Sequence, residues 1–304
     1  MPTELQRSFH VSGNSLIATS ESDESVNEDP RGLVLMWEEP KPYAKYIIGL
    51  DPSEGITGWS RGSRQDGDHK TDNGVIEVFR PNAMKLPLFK DGKPMIDKLT
   101  NQQMFVMRDL QVAEFAAPID AVEIARVANI LGRIYAGEDD DQAELILESY
   151  PGPGPLTTQE LIRLGYGHLW LWQHFADSAA EDTNAIGWHA TPRSTRILWT
   201  RARRHLMERK AKILSKWLVA EYTNAVVDMD RMTARAAYSF HDDRLRAANL
   251  CYWAGHAWSQ NIESTHEQVT ERLISDWQHN APTLGENRSY RETWAEAVEN
   301  WSDD

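Results

Sequence analysis

The sequence predicts an α/β fold in which a central mixed β-sheet is flanked by helices on both faces. Three observations carry this. Short apolar runs break at Pro, Gly or acidic residues, and stretches of helical periodicity alternate with them. The order along the chain is three strands, helix, strand, helix, strand and then helices only.

Taken in order, Ser12 to Gly32 (SGNSLIATSESDESVNEDPRG) is rich in Ser, Asn, Asp and Glu and offers too little apolar surface to pack. Residues 1–32 are therefore expected to be a flexible acidic linker, with folding beginning near Leu33. Tyr46-Ile47-Ile48-Gly49-Leu50-Asp51 is a short apolar stretch that breaks into Pro52-Ser53-Glu54-Gly55, the pattern of a buried strand ending in a turn. Gly58 to Asn73 is polar and glycine-bearing and predicts a long loop. Val75 to Phe79 alternates apolar and polar residues, with Glu77 inside it, and predicts a second strand.

Residues 80–104 have weak periodicity and carry Pro81, Pro87 and Pro94, so an inserted loop is expected there. Leu110 to Phe115 predicts a third strand. Pro118 is placed at the opening of a helix, where its missing N–H costs nothing. In that helix Ile124, Val127, Ala128, Leu131, Ile134 and Tyr135 recur at helical spacing and should face the core. Leu145-Ile146-Leu147-Glu148 predicts a fourth strand, stopped by Pro151-Gly152-Pro153-Gly154-Pro155, and Thr157 or Thr158 could cap a helix running to Leu164. His168 to Phe175 is the candidate fifth strand. Helices are expected over Pro192–Met207, over Ile213–Tyr222 and from Asp242-Asp243 to about Ser259. Residues 260–304 form an acidic helical extension, with helices over Glu263–Gln278 and Tyr290–Trp301.

No apolar run approaches the roughly 20 residues of a bilayer span, and Met1 to Ser20 has no secretory pattern. One cysteine, Cys251, allows neither an intrachain disulfide nor a cysteine zinc site, so a reducing compartment is expected. The net charge of −14 opposes phosphate binding, but it is unevenly spread. Residues 1–40 carry 8 acidic and 2 basic residues, and residues 260–304 carry 10 and 3, which puts −13 at the two ends. Between them, Arg193, Arg196, Arg201, Arg203, Arg204, Arg209, Lys210, Lys212 and Lys216 lie within 24 residues, opposed by Glu208 alone. Such a stripe can bind DNA locally, or it can be a solvated helix face.

Acidic residues stand where regular structure ends or begins. Asp51 closes the first strand, Glu148 closes the fourth, and Asp242 and Asp243 open a late helix. Functional groups converge at strand ends in α/β sheets. Carboxylates brought together raise each other's pKa unless a cation neutralises them. A hard divalent ion such as Mg²⁺ takes oxygen ligands and leaves positions for phosphate oxygens, and two ions can activate a water and stabilise the leaving oxygen of a phosphodiester. Taken singly, Asp51 before Pro52 could be a turn former and Asp242 or Asp243 a helix cap. A glutamate after Leu-Ile-Leu is harder to explain as structure alone. His241 adjoins the acidic pair and could orient a carboxylate or a water, or merely end the preceding strand. Trp199, Trp217, Trp253 and Trp258 sit on helices and are expected to be core rather than base-stacking platforms.

Four segments, in order, carry a resemblance. The first is Tyr46-Ile47-Ile48-Gly49-Leu50-Asp51-Pro52-Ser53-Glu54-Gly55, and the second is Leu145-Ile146-Leu147-Glu148. The third is Gly187-Trp188-His189-Ala190-Thr191-Pro192-Arg193-Ser194-Thr195-Arg196, and the fourth is His241-Asp242-Asp243-Arg244-Leu245-Arg246-Ala247-Ala248. This set resembles the nuclease domains of tailed-bacteriophage terminase large subunits, which have a ribonuclease H-like fold. The resemblance implies a nuclease domain over residues 33–259, with Asp51, Glu148, Asp242 and Asp243 as metal-binding catalytic residues. It implies two Mg²⁺ or Mn²⁺ ions, cutting of concatemeric double-stranded DNA during genome packaging, and a viral protein working in the host cytoplasm without a membrane. An ATPase motor domain or subunit, a portal and a small terminase subunit would be its partners. Arg193, Arg196, Arg201, Arg203 and Arg204 are the expected DNA contacts.

The chain departs from the family pattern where Asn and Gly usually follow the second acid; here Ser149-Tyr150-Pro151-Gly152 follows. It also has no Gly-x4-Gly-Lys-Ser/Thr phosphate cradle. A resolvase- or transposase-type nuclease of the same fold, and an inactive DNA-binding packaging module, are the alternatives.

Overall fold

The computed structural model describes residues 5, 7–19, 30–53, 72–90, 92–137, 142–150, 152–173, 182–228, 233–236 and 242–259. The first strands are β1 (Arg7–Ser12), β2 (Ser15–Ala18), β3 (Leu33–Met36), β4 (Ile47–Asp51) and β5 (Gly74–Pro87). The short β6 (Phe89–Lys90) and β7 (Lys93–Pro94) lead to β8 (Phe105–Ala117), α1 (Ala121–Ile134), β9 (Glu144–Tyr150) and α2 (Gly154–Arg163). Then come β10 (Leu171–Gln173), β11 (Asp182–Ile186), β12 (Trp188–His189), α3 (Pro192–Met207) and β13 (Ala211–Lys212). The last are α4 (Lys216–Asn224), β14 (Ala225–Asp228), β15 (Thr233–Ala236) and α5 (Asp243–Ser259).

Among the described residues the main sheet has nine strands, ordered β12-β9-β4-β5-β8-β3-β1-β2, with β13 beside β8. β4 runs antiparallel to β5, and β5 antiparallel to β8. On the other side β4 is parallel to β9, and β9 is parallel to β12. An antiparallel trio continued by two parallel strands on the side of the first strand is the ribonuclease H-like arrangement, and the sheet is mixed as expected.

Period-two alternation divides the strands between two cores. Ile48, Leu50, Ile76, Val78, Leu145 and Leu147 join one core with Ile124, Ala128 and Leu131 of α1 and Leu161 of α2. Ile47, Phe79 and Ile146 face the other way, onto Leu198 of α3, Leu218 of α4 and Leu245, Ala248 and Leu250 of α5. Helices therefore cover both faces. Of the core positions expected in α1, all but Ile134 are buried, and Ile134 is partly so. Among the described residues no helix is long and apolar enough to cross a membrane.

The structure corrects several sequence expectations. Regular structure begins before Leu33, since β1 and β2 form a hairpin paired through β1 to β3. Its turn uses Gly13 at φ +57, and the Ser-rich composition hid a strand pair held by backbone hydrogen bonds; residues 20–29 lie outside the described residues. Residues 80–104 are only partly a loop. β5 continues to Pro87, opposite Phe105 of β8, making a long two-stranded arm. Pro81 is tolerated because it lies at the register shift between Arg80 and Met84. Helix α1 is capped by Asp120, whose side chain accepts from the Val122 and Glu123 N–H groups, two residues after Pro118. Thr157 and Thr158 lie inside α2, with hydroxyls donating back to the Pro153 and Gly154 carbonyls.

The expected strand over residues 168–175 joins the main sheet only through Leu169, which bridges Leu145 of β9 in parallel, and the fifth strand of the sheet is β12. Leu171 to Gln173 instead pairs with β11 in a separate two-stranded sheet. Two residues of strand are too few to leave a periodic signal. Helix α4 starts at Lys216 under a Ser215 cap rather than at Ile213. The expected helices within 260–304 lie outside the described residues.

Candidate active site

Leu50 of β4 pairs with Leu147 of β9, so Asp51 and Glu148 follow side by side at the ends of two parallel strands. Alternation puts both on the face covered by α5. Glu148 is not the last residue of its strand, which runs on to Tyr150. Trp188 of β12 pairs with Glu148 on the far side.

Helix α5 enters over this end of the sheet, bringing Asp242 and Asp243 with it. Asp242 holds the cap position, its carbonyl accepting the first helical bond from the Arg246 N–H. Such close approach needs a residue without a side chain beneath the helix. At Gly49 a Cβ would lie 2.0 Å from the Ala247 carbonyl oxygen and 2.8 Å from the Cys251 sulfur. Gly187 plays a similar part beside β9, at φ +81 and with a notional Cβ 2.7 Å from the Leu147 carbonyl oxygen. The two consecutive aspartates have different partners. Asp243 is buried and its Oδ2 accepts from the Asn73 N–H at 3.2 Å. Asp242 is more exposed, with Oδ1 3.5 Å from Arg246 Nε.

The electrostatics are those of crowded carboxylates. Burial and then Glu148, with Asp243 and Asp72 adding, push the Asp51 carboxyl well above its usual range, against the pull of Arg246. Burial also raises Glu148, with Arg246 opposing and Asp242 adding. Arg246, whose Nη1 lies 3.8 Å from Glu148 Oε1, is held in its charged form by Asp51, Asp242, Glu148 and Asp243 despite its own desolvation. Sequence reasoning did not single out Arg246, although its i,i+4 spacing from Asp242 was a readable signal. Asp72, in the loop after Asp51, lies in the same field; His241 lies outside the described residues.

These groups match what a hard divalent cation takes as ligands. All are oxygen donors, the carboxylates are unfavourably charged in one another's company, and the buried Asn73 Oδ1 has no hydrogen-bond partner among the described residues. Asp51, Glu148, Asp242 and Asp243 could hold such an ion, with Asn73 Oδ1 as an additional donor. Among the described residues, however, no three His, Cys, Asp or Glu side chains are already converged as a metal site.

A second acidic cluster, missed in the sequence, supports the first from below. Glu77 pairs with Gly49 on one side and Glu114 on the other, so it lies on the same face one step deeper under α5. Gln111 Nε2 donates to Glu77 at 2.7 Å, and its Oε1 accepts from the Leu214 and Ser215 N–H groups. Arg244 donates through Nε to Glu114 at 2.8 Å and through Nη1 to Glu221 at 3.1 Å. Glu221 also accepts the Leu245 N–H. The network ties α4 and the first turn of α5 to the sheet and so fixes where Asp242 and Asp243 arrive. Only the interruption of an apolar strand by Glu77 hinted at it.

The basic stripe runs along α3. Thr191 and Ser194 form a reciprocal capping box around Pro192, which sets the helix start just beyond β12 at the Glu148 end of the sheet. Arg193 and Arg196, exposed in its first turns, therefore stand at the same end of the sheet as the acidic cluster, and Arg203 is exposed farther along. Among the expected DNA contacts, Arg201 and Arg204 have partners of their own. The Arg201 guanidinium stacks 3.9 Å over the Trp253 ring, and Arg204 is ion-paired with Glu208. Trp253 is buried against Trp188, as expected of a core residue, while Trp199 and Trp217 are half-buried.

No protein-family model and no curated protein sequence matches this chain. Among solved structures it is similar to the large terminase nuclease from thermophilic phage G20c, at 15% identity and a TM-score of 0.43, covering 73% of this chain and 89% of that one. The same nuclease with bound magnesium aligns at 15% identity and a TM-score of 0.41, over 73% and 88%. The Thermus phage P74-26 large terminase nuclease domain aligns at 14% identity and a TM-score of 0.40, over 74% and 86%. At that distance these neighbours decide nothing about chemistry here, which has to come from the carboxylates themselves.

Proposed function

We propose that the chain is a metal-dependent endonuclease that hydrolyses phosphodiester bonds in double-stranded DNA, working in viral genome packaging as the nuclease of a terminase large subunit. The observation that supports it most is the meeting, on one face at one end of a ribonuclease H-like sheet, of Asp51, Glu148 and the Asp242-Asp243 pair. Crowding of this kind destabilises the metal-free protein, so it is retained for a cation rather than for the fold. Bound Mg²⁺ or Mn²⁺, two ions in the full site, would supply an activated water and stabilise the leaving oxygen.

The chain's own residues do the placing. Asp51 and Glu148 offer neighbouring carboxylates from rigid parallel strands. Asp243, fixed by the Asn73 N–H, and Asp242 close the site from the helix side. Arg193 and Arg196 lie where a duplex reaching the acids would present phosphates, which offsets the unfavourable net charge. The nuclease domain spans residues 33–259, joined by the β1–β2 hairpin before it, with the acidic residues 260–304 as an extension. Its partners would be DNA, an ATPase motor domain or subunit, a portal and a small terminase subunit, in the host cytoplasm.

The test is incubation of supercoiled plasmid with the full chain and Mn²⁺ or Mg²⁺, beside an EDTA control and the Asp51→Asn variant. Cleavage with either metal, none in EDTA, and none by the variant is the expected result. Asn keeps the shape of Asp and removes its charge, so the metal-free melting temperature of the variant should hold or rise. Undiminished cutting in EDTA would remove the metal from the mechanism, and wild-type cutting by Asp51→Asn would remove Asp51.

A further inference from the structure

Helix α5 carries two arginines two residues apart, and they are held very differently. Arg244 makes hydrogen bonds of 2.8 and 3.1 Å to Glu114 and Glu221, and its side chain is 9% exposed. Arg246 reaches Asp242 at 3.5 Å and Glu148 at 3.8 Å, and its side chain is 46% exposed. Charge-assisted N–H···O contacts that lock a side chain are about 2.7–2.9 Å, so Arg246 is attracted to the acids without being fixed to them. Its position is also particular. It spans the gap between the sheet acid and the helix acid, and one guanidinium faces four carboxyl groups, more than a single positive charge can neutralise when they ionise.

We propose that Arg246 is an exchangeable internal counter-ion, standing in the acidic cluster in place of divalent metal and leaving Glu148 and Asp242 when metal binds. This rests on the metal-dependent reading of the same site. Positive charge within about 4 Å of the ligands opposes an incoming cation, so Arg246 lowers metal affinity while stabilising the metal-free protein. It also gives the carboxylates a defined separation before they converge, consistent with the absence of a closed three-ligand group among the described residues. Its exposure provides the way out, since the side chain can turn to solvent without unpacking the core. Arg244, locked below, keeps the helix in place while Arg246 moves. Arg246 is thus a positioning and gating residue rather than a catalytic one.

The experiment is calorimetric titration of the full chain with MnCl₂, comparing wild type with Arg246→Gln and Arg246→Lys. Arg246→Gln should bind Mn²⁺ about tenfold more tightly, melt at a lower temperature than wild type in EDTA, and recover when Mn²⁺ is added. Arg246→Lys keeps the charge and should stay near wild-type affinity. A purely structural arginine would give the opposite sign, with weaker metal binding on its removal. Equal or weaker binding by Arg246→Gln overturns the proposal while leaving the metal site standing. No binding by either protein sinks the metal-dependent reading and this inference together. Should Arg246→Gln fail to fold, ¹⁵N side-chain spectra of wild type decide. Mg²⁺ should move the Arg246 Nε–H signal toward that of a solvated arginine and leave Arg244 unchanged, and an Arg246 signal unmoved at saturation overturns the proposal.

Discussion

Single buried acids should set much of this protein's response to pH. Glu221 shows it outside the metal ligands, because burial pushes its carboxyl from 4.5 up to about 7, with Arg244 and the Leu245 N–H limiting the rise. A carboxyl raised on folding binds its proton more tightly in the native state. It therefore contributes stability below about pH 4.5 that is lost as pH rises through about 7. The full effect would be roughly 3 kcal/mol. Glu221→Gln keeps an acceptor for Arg244 and for Leu245 but cannot ionise. In EDTA, urea midpoints of this variant should decline less between pH 4.5 and 7.5 than those of wild type. Parallel declines would mean that Glu221 is ionised throughout and fully compensated by Arg244. Asp51 and Glu148 shift in the same direction, so the metal-free protein should lose stability toward neutral pH and regain it with metal.

Among elements, the packing of α5 on β4 decides whether a site exists at all. A methyl group at Gly49 would sit inside the Ala247 carbonyl, and a helix backbone cannot yield as a flexible side chain can. Gly49→Ala should cost about 3 kcal/mol or more, the upper part of the usual overpacking range, and should abolish cleavage by lifting Asp242 and Asp243 away from Asp51. Denaturant unfolding checks the first claim and the plasmid assay the second; unchanged stability would show that α5 stands farther off. Helix α3 offers an independent prediction, since Arg193 and Arg196 are three apart in its first turns. Changing both to Ala should weaken DNA binding similarly for all sequences and lower the salt slope by up to about two, measured by anisotropy across a salt series. An unchanged slope would make the stripe a solvated face only.

At the scale of the molecule, the two ends of the sheet have separate characters. Because β5 runs antiparallel to β4, its Gly74 end adjoins Asp51 and its Pro87 end leads away from the site. The arm beyond Arg80 therefore projects from the opposite end, and Phe89, Ile96, Leu99, Met104, Phe105 and Met107 are exposed there. Among the described residues, none from 85 to 107 belongs to a core cluster. Replacing Lys85–Met107 by an Asn-Gly turn, which suits a two-residue hairpin between Met84 and Arg108, should leave melting temperature and metal-dependent cleavage nearly unchanged. Loss of folding would show that the arm braces the sheet.

The sequence by itself determined the elements with strong local patterns. Alternation and apolar runs located β4 and β9, helical spacing located α1, α3 and α5, and the placement of Asp51, Glu148 and Asp242-Asp243 at element ends marked them as candidates. Each of these signals lies within a few residues of chain. The tertiary structure decided what depends on distant pairing. Cross-strand hydrogen bonds, indifferent to side-chain identity, made strands of Arg7–Ala18 and of the proline-bearing arm, and they shared the β9 edge between a single bridge at Leu169 and the pair Trp188–His189. Register set Asp51 beside Glu148, and the bare backbone at Gly49 let α5 close over them. Charges well separated in the chain, Arg246 among Asp51 and Glu148 and Arg244 between Glu114 and Glu221, found one another only through that packing. Local periodicity holds no information about such partners, because ion pairing across a fold is fixed by the path of the backbone.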